Sequence, residues 1–303
     1  MSDEVLQTLT GILPRENILE NEDMDVHTTF RVGGPARLML LIDDREQLMA
    51  TVRYLRLVGQ KFFLLGNGSN LLVSDRGYDG IIIRLSGEFA NITVDSDRIS
   101  CGAAAQLSMV ARTAADNSLT GMEFAAGIPG SVGGAMVMNA GAFGGDMSMI
   151  TESVDILSES GEIMTLDNET MEFGYRTSVI RNSSYIVTGV TFALKPGDHD
   201  AIIACMNEIA EKRRAKQPLE YPSAGSTFKR PEGYYAGKLI MDAGLRGFSI
   251  GGARVSDKHC GFVINQGYAS AADIYDVICQ VQERVRDRFD VDLEREVILL
   301  GDF

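Results

Sequence analysis

The sequence predicts an α+β protein of about two domains. The chain has 303 residues, against roughly 150 per domain. Amphipathic helical patterns are few and well separated, and the strand signals between them fall into hairpins rather than a regular βαβ alternation. No internal repeat occurs at any fixed period.

The elements follow in chain order. Asp44–Val58 reads as a helix with Leu48, Val52, Leu55 and Val58 inward and acidic residues at its start. Lys61–Leu65 and Gly80–Leu85 are runs of branched and aromatic residues and read as buried strands. Ile92–Val94 and Ile99–Cys101 form a hairpin across Asp95-Ser96-Asp97. Gln106–Asn117 is a helix with Leu107, Val110, Ala111 and Ala114 on one face. Phe124–Gly145 is a charge-free stretch of 22 residues with seven glycines, and reads as buried, glycine-dense backbone rather than a lipid-facing helix. A second hairpin joins Val154–Leu157 to Glu162–Leu166 across Ser160-Gly161, and Tyr185–Leu194 is a strand stopped by Pro196-Gly197. Asp200–Lys216 is a helix with Ile202, Ile203, Met206 and Ile209 inward and a basic end. Ser270–Phe289 is another, striped by Ile274, Val277, Ile278, Val281 and Val285, and Glu296–Leu300 is the last strand.

Composition excludes several functions. The apolar and charged fractions, 45% and 23%, are those of a globular chain, not a disordered one. A net charge of −14 repels phosphate backbones, so a nucleic-acid partner is not expected. The acidic start, Met1-Ser2-Asp3-Glu4, is followed by no apolar run of signal-peptide type; with reduced thiols at Cys101, Cys205, Cys260 and Cys279, this points to a cytoplasmic protein without membrane insertion. His27, His199 and His259 form no metal-ligand pair, so no metal is expected.

Two glycine loops carry the functional signal. Gly66-Asn67-Gly68-Ser69-Asn70 follows directly on a strand, where glycine and Asn permit positive φ and successive N–H groups converge on an anion. Leu71-Leu72-Val73 continues as strand, so the loop is not the dinucleotide fingerprint that opens a helix. Gly127-Ile128-Pro129-Gly130-Ser131-Val132-Gly133-Gly134 and Asn139-Ala140-Gly141 form the second cluster. Such density implies close approach of backbone to a ligand or to another strand. On the first alternative, replacing Gly68 or Gly133 with Val costs cofactor before it costs folding.

The chain resembles the UDP-N-acetylenolpyruvoylglucosamine reductases. The resemblance rests on Thr29-Phe30-Arg31-Val32-Gly33-Gly34, on both glycine loops, and on Gly174-Tyr175-Arg176-Thr177-Ser178. Pro222–Lys229, Val255–Phe262 and Leu293-Glu294-Arg295-Glu296-Val297 continue it, so that it covers roughly residues 25–300. It implies a flavin-binding module of the vanillyl-alcohol oxidase type, made of two α/β lobes, then a smaller α/β substrate domain. The expected division is an N-terminal extension (1–27), the FAD-binding domain (28–197) and the substrate-binding domain (198–303). The compact stretch after Tyr175 is similar to the shorter subclass, which lacks a tyrosine-bearing insertion.

The implied cofactors are non-covalent FAD, since neither glycine loop contains His or Cys, and NADPH as hydride donor. Gly66, Asn67, Gly68, Ser69, Asn70, Leu71, Gly127, Ser131, Gly133, Gly134, Asn139 and Gly141 are the implied FAD-binding residues. The implied reaction adds hydride and a proton to an enolpyruvyl sugar nucleotide in peptidoglycan precursor synthesis. Arg176, Ser226 and Glu296 are the implied catalytic residues. Arg176 offers a planar fork to the substrate carboxylate, Ser226 a proton, and Glu296 a hydrogen bond if its pKa is raised. Tyr175, Arg214, Lys216, Lys229, Arg230 and His259 are the implied substrate-binding residues, with Arg230 standing where part of the family has Asn. Each has an ordinary structural alternative: a helix-end cation for Arg214 and Lys216, a satisfied core group for His259, a loop cap for Ser226. An alcohol oxidase on the same flavin module and a non-catalytic nucleotide-binding protein are the competing functional readings. The sequence leaves the oligomeric state open.

Overall fold

A computed structural model describes residues 3–303, so Met1 and Ser2 of the acidic start lie outside the described residues. The chain divides into two compact units, each assembled from three segments. Of the described residues, the first comprises 3–20, Leu38–Gly66 and Gly80–Glu211; the second comprises Asn21–Arg37, Asn67–Asp79 and Lys212–Phe303.

The first unit has two lobes with separate cores. In one, strands run in the order Ile18–Asp23, Pro35–Ile42, Tyr78–Leu85, Phe62–Leu65. Leu40, Ile42, Ile81 and Ile83 of this sheet pack against Leu48, Val52 and Leu55 of helix Arg45–Leu57. Asp44 caps that helix by accepting from the Gln47 amide at 2.8 Å. Val58, expected inward, is instead 46% exposed, because the helix has ended and the residue sits at its C-cap.

The second lobe is a five-stranded antiparallel sheet in the order Ile163–Asp167, Thr151–Leu157, Ile186–Ala193, Arg98–Gly102, Ile92–Asp95. Both expected hairpins are present, with Val94 opposite Ile99 and Leu157 opposite Ile163. Helices Leu107–Asp116 and Val132–Met138 bury Leu107, Val110, Val132 and Met136 in this lobe's core. The second helix is a departure from the expected buried stretch. Ser131 caps it, Asn139 ends it in the left-handed conformation (φ 40°), and Gly127, Gly134, Phe143 and Gly144 are exposed. The strand Ile186–Ala193 ends before Pro196, as expected, and Lys195–Pro196 then pairs antiparallel with Leu119–Thr120 through an edge position that needs no proline N–H.

The second unit packs a three-stranded sheet, Ser249–Ile250, Ala253–Val255 and Val263–Asn265, on helix Ala271–Phe289. All five residues of the expected stripe on that helix are buried. Its start is capped by a Ser270–Asp273 box, and the Asp75 carboxylate accepts from the Ala271 and Ala272 amides at 2.8 and 2.9 Å. Strands Leu71–Val73 and Ile298–Leu300 pair in parallel, across more than 200 residues of sequence. Helix His199–Lys216 buries only Ile202 of its expected inward set, so that stripe packs far less than its apolar spacing suggests.

Candidate active site

In the first unit Gly66, which opens the first glycine loop, meets the second. A Cβ on Gly66 would lie 2.5 Å from Ser131 Oγ, so the end of strand Phe62–Leu65 passes against the cap of helix Val132–Met138. Both loops lack a carboxylate, and Gly127 and Gly134 present bare backbone at the surface. Uncharged polar groups and exposed main chain, with no anion to repel it, fit the diphosphate of a flavin dinucleotide. Gly133 has a different task. Its N–H donates to the Ala103 carbonyl at 2.8 Å, and an added Cβ would sit 3.0 Å from the Ala103 side chain. An alanine there would press on the neighbouring strand end.

The Asn139 side chain is turned inward and saturated. Its Nδ2 donates to the Gly174 carbonyl at 3.1 Å, and its Oδ1 accepts from the Ser148 amide at 3.0 Å. It thereby ties the helix end to the loop that bears Tyr175 and Arg176. In that loop Gly174 and Thr177 form a bridge, and Arg176 adopts φ 57°. A left-handed backbone costs a non-glycine residue about 1–2 kcal/mol, and strain of this kind concentrates at functional positions. The Arg176 guanidinium is half-buried, donates to the Gly141 carbonyl at 3.3 Å and lies 5.4 Å from the Tyr175 ring centre. Arg181, absent from the expected set, donates to the Arg176 carbonyl at 2.6 Å.

In the second unit Ser226 and Glu296 lie on adjacent extended segments. The Glu296 amide donates to the Thr227 carbonyl at 2.9 Å, Phe228 bridges Arg295, and the Lys229 amide donates to the Glu294 carbonyl. Thr227 is fully buried, with its hydroxyl accepting from the Val263 amide, while Ser226 beside it is exposed. Among the described residues no protein group hydrogen-bonds the Ser226 hydroxyl. A serine acting as a loop cap makes such a bond.

Asn70 grips the same segment from its other side: its Nδ2 donates to the Glu296 carbonyl at 3.1 Å, and its own carbonyl accepts from the Ile298 amide at 3.0 Å. No local pattern announces this link, which depends on the long-range pairing of Leu71–Val73 with Ile298–Leu300. Gly68, at φ 60°, is buried against residue 27, where a Cβ would come within 2.0 Å of the His27 carbonyl oxygen. Its glycine is needed by the protein's own packing, which reverses for Gly68 the expectation that a side chain there costs cofactor before folding.

The other expected substrate residues are dispersed in this unit. Lys229 pairs with Glu294 at 2.5 Å, and Arg230 lies 4.6 Å from the Tyr235 ring centre. Arg214 and Lys216 are exposed at the end of their helix. His259 is half-buried, edge-on to Phe262 at 5.0 Å, and its Nδ1 accepts from the Gly261 amide at 3.1 Å. Burial pushes its imidazole below the ordinary 6.5. The unfolded chain therefore binds a proton that the folded chain refuses, and His259 makes stability fall as pH drops from 6.5 through that lower value. Thermal unfolding between pH 7.5 and 5 is expected to lose more stability in the native protein than in His259→Gln, as read from the two melting curves.

No group of three or more His, Cys, Asp or Glu that could hold a metal occurs among the described residues. No disulfide joins the cysteines among the described residues, and burial raises the Cys101 thiol to about 12. Among the described residues no helix is long and apolar enough to cross a membrane.

The two-lobed unit is that of an FAD-binding oxidoreductase: the family model described as "FAD binding domain" matches residues 36–167. A second, "UDP-N-acetylenolpyruvoylglucosamine reductase, C-terminal domain", matches residues 217–300, which include Ser226 and Glu296. The UDP-N-acetylenolpyruvoylglucosamine reductase of Caldanaerobacter subterraneus subsp. tengcongensis is 45% identical over 302 residues, covering 100% of both chains. That of Clostridium botulinum strain Eklund 17B is 50% identical over 283 residues, covering 93% of each. The chain belongs to the UDP-N-acetylenolpyruvoylglucosamine reductase family. Among solved structures, that of the reductase (MurB) from Thermus caldophilus superposes with a TM-score of 0.80 at 36% identity, covering 94% of this chain and 98% of that one. Phl p 4, a grass pollen allergen with glucose dehydrogenase activity, shares the fold alone, with a TM-score of 0.50 at 12% identity over 64% of this chain and 44% of its own.

Proposed function

We propose that this protein reduces UDP-N-acetylenolpyruvoylglucosamine with NADPH, in the synthesis of peptidoglycan precursors. The observation that carries the reading is the pairing of the segment that bears Ser226 with the segment that bears Glu296, through Thr227 and the Glu296 amide, inside the region matched by the family's C-terminal model. Residues 28–197 serve the flavin and 198–303 the sugar nucleotide. Gly66–Leu71 and Gly127–Gly141 would hold FAD without a covalent bond. When bound, FAD supplies the hydride acceptor and donor that link NADPH to the enolpyruvyl group.

The chain's own residues deal with the charge and the proton. Reduction at the vinyl C3 places negative charge on C2 and the adjacent carboxylate. The Arg176 fork balances that charge, and its backbone is fixed before substrate arrives, which lowers the reorganisation needed in the transition state. Glu296 hydrogen-bonds the same carboxylate, with its main chain clamped by Asn70 and Thr227. Ser226 gives its proton to C2. Tyr175, Arg214, Lys216, Lys229, Arg230 and His259 bind the sugar nucleotide, the basic members facing its diphosphate.

The test is spectroscopic. The purified protein is expected to be yellow, to bleach with NADPH under anaerobic conditions, and to recover its colour on addition of UDP-N-acetylenolpyruvoylglucosamine. Recovery with oxygen but not with the sugar nucleotide would turn the reading towards an oxidase.

A further inference from the structure

Arg176 is held from several sides, and one of the holds comes from a residue with no assigned role. The Gly174 amide donates to the Thr177 carbonyl at 3.0 Å, and Asn139 fixes the Gly174 carbonyl. The third hold is the Arg181 guanidinium, whose Nη1 donates to the Arg176 carbonyl at 2.6 Å, a short, charge-assisted bond. Arg181 is itself firmly rooted. It lies in the 3-10 turn Val179–Asn182, where Ile180 is buried in the lobe's core, the Val179 amide donates to the Met171 carbonyl, and the Ser178 hydroxyl donates to the Val137 carbonyl.

We infer that Arg181 is a positioning residue: its bond to the Arg176 carbonyl keeps Arg176 in the left-handed conformation and so fixes where the Arg176 guanidinium meets the substrate carboxylate. The inference rests on the role given to Arg176 under the proposed function. The physical argument is one of geometry. A residue at φ 57° relaxes readily to ordinary φ unless neighbouring groups over-determine it. Relaxation rotates the peptide after Arg176 and swings its side chain away. A donor on the carbonyl of that peptide opposes the rotation directly, and a cation does so more strongly than a neutral group.

The experiment compares Arg181→Met, which keeps bulk without a donor, with Arg181→Lys, which restores one cationic donor. In the flavin-loaded protein, Arg181→Met is expected to slow reoxidation by the enolpyruvyl substrate about 10- to 100-fold. Flavin content and the rate of reduction by NADPH stay within about twofold, and Arg181→Lys recovers part of the loss. Calorimetric titration of the substrate into the oxidised protein, where no turnover occurs, is expected to show weaker binding in Arg181→Met. Adding Arg181→Met to Arg176→Met is expected to cost nothing further, because no guanidinium remains to be positioned.

Native reoxidation in Arg181→Met would overturn the inference. So would a parallel loss of flavin content and both half-reactions, or full additivity in the double variant; either makes Arg181 a brace of the lobe. Native reoxidation in Arg176→Met alone would instead remove the role of Arg176, which separates failure of the proposed function from failure of this inference.

Discussion

Ser226→Ala is expected to slow reoxidation of the reduced flavin by the enolpyruvyl sugar nucleotide about 10²- to 10⁴-fold, the usual contribution of a positioned general acid. That is roughly 3 to 5 kcal/mol of barrier. Reduction by NADPH needs no proton from this residue and is expected to proceed at nearly the native rate. The hydroxyl is exposed and bonded to no protein group among the described residues, so its removal strands no buried partner. Ala224 and Thr227, which anchor the segment, are buried and unchanged. Stopped-flow absorbance of the flavin resolves the two halves. Equal slowing of both would indicate lost structure, and native reoxidation would end the proton-donor role.

The second large effect separates two kinds of glycine. Gly68→Val is expected to cost the second unit roughly 3 kcal/mol or more, because a β-branched residue at positive φ meets the His27 carbonyl oxygen. Loss of melting temperature, or insoluble protein, is the expected observation. Gly134→Ala is the converse case. The residue is exposed, sits inside helix Val132–Met138, and its Cβ would lie 3.4 Å from Ser131 Oγ, an ordinary contact. Alanine favours a helix over glycine by about 1 kcal/mol, so folding is expected to hold or improve. If the flavin diphosphate approaches this bare backbone, the methyl group obstructs it, and flavin is expected to bind about tenfold more weakly. Thermal melting together with flavin stoichiometry distinguishes the two variants. Native flavin affinity in Gly134→Ala would remove that glycine from the cofactor site.

Local signals fixed much of this protein. The period of Ile274, Val277, Ile278, Val281 and Val285, with Ser270 before it, set the helix, its buried face and its cap. Branched residues on either side of Asp97 and Gly161 set both hairpins, and the structure gives their registers. The motifs that carry the family resemblance pointed to the glycine loops as the flavin's and to Arg176, Ser226 and Glu296 as catalytic, the roles proposed above. These are properties of short stretches of chain, where propensity, capping and spacing act within a few residues. The stripe on helix His199–Lys216 shows the limit of such signals, since apolar spacing says nothing of whether a partner surface exists to bury it.

Tertiary structure alone decided how the functional side chains are held. No local pattern announces that Asn70 clamps the main chain of Glu296, or that Arg181 reaches back to the carbonyl of a left-handed Arg176. Nor does glycine density distinguish Gly68, required by the protein's own backbone, from the open face of Gly134. Each of these depends on which distant segment the fold brings alongside, and a hydrogen bond or close contact between remote residues leaves no period, cap or turn signature in the residues themselves.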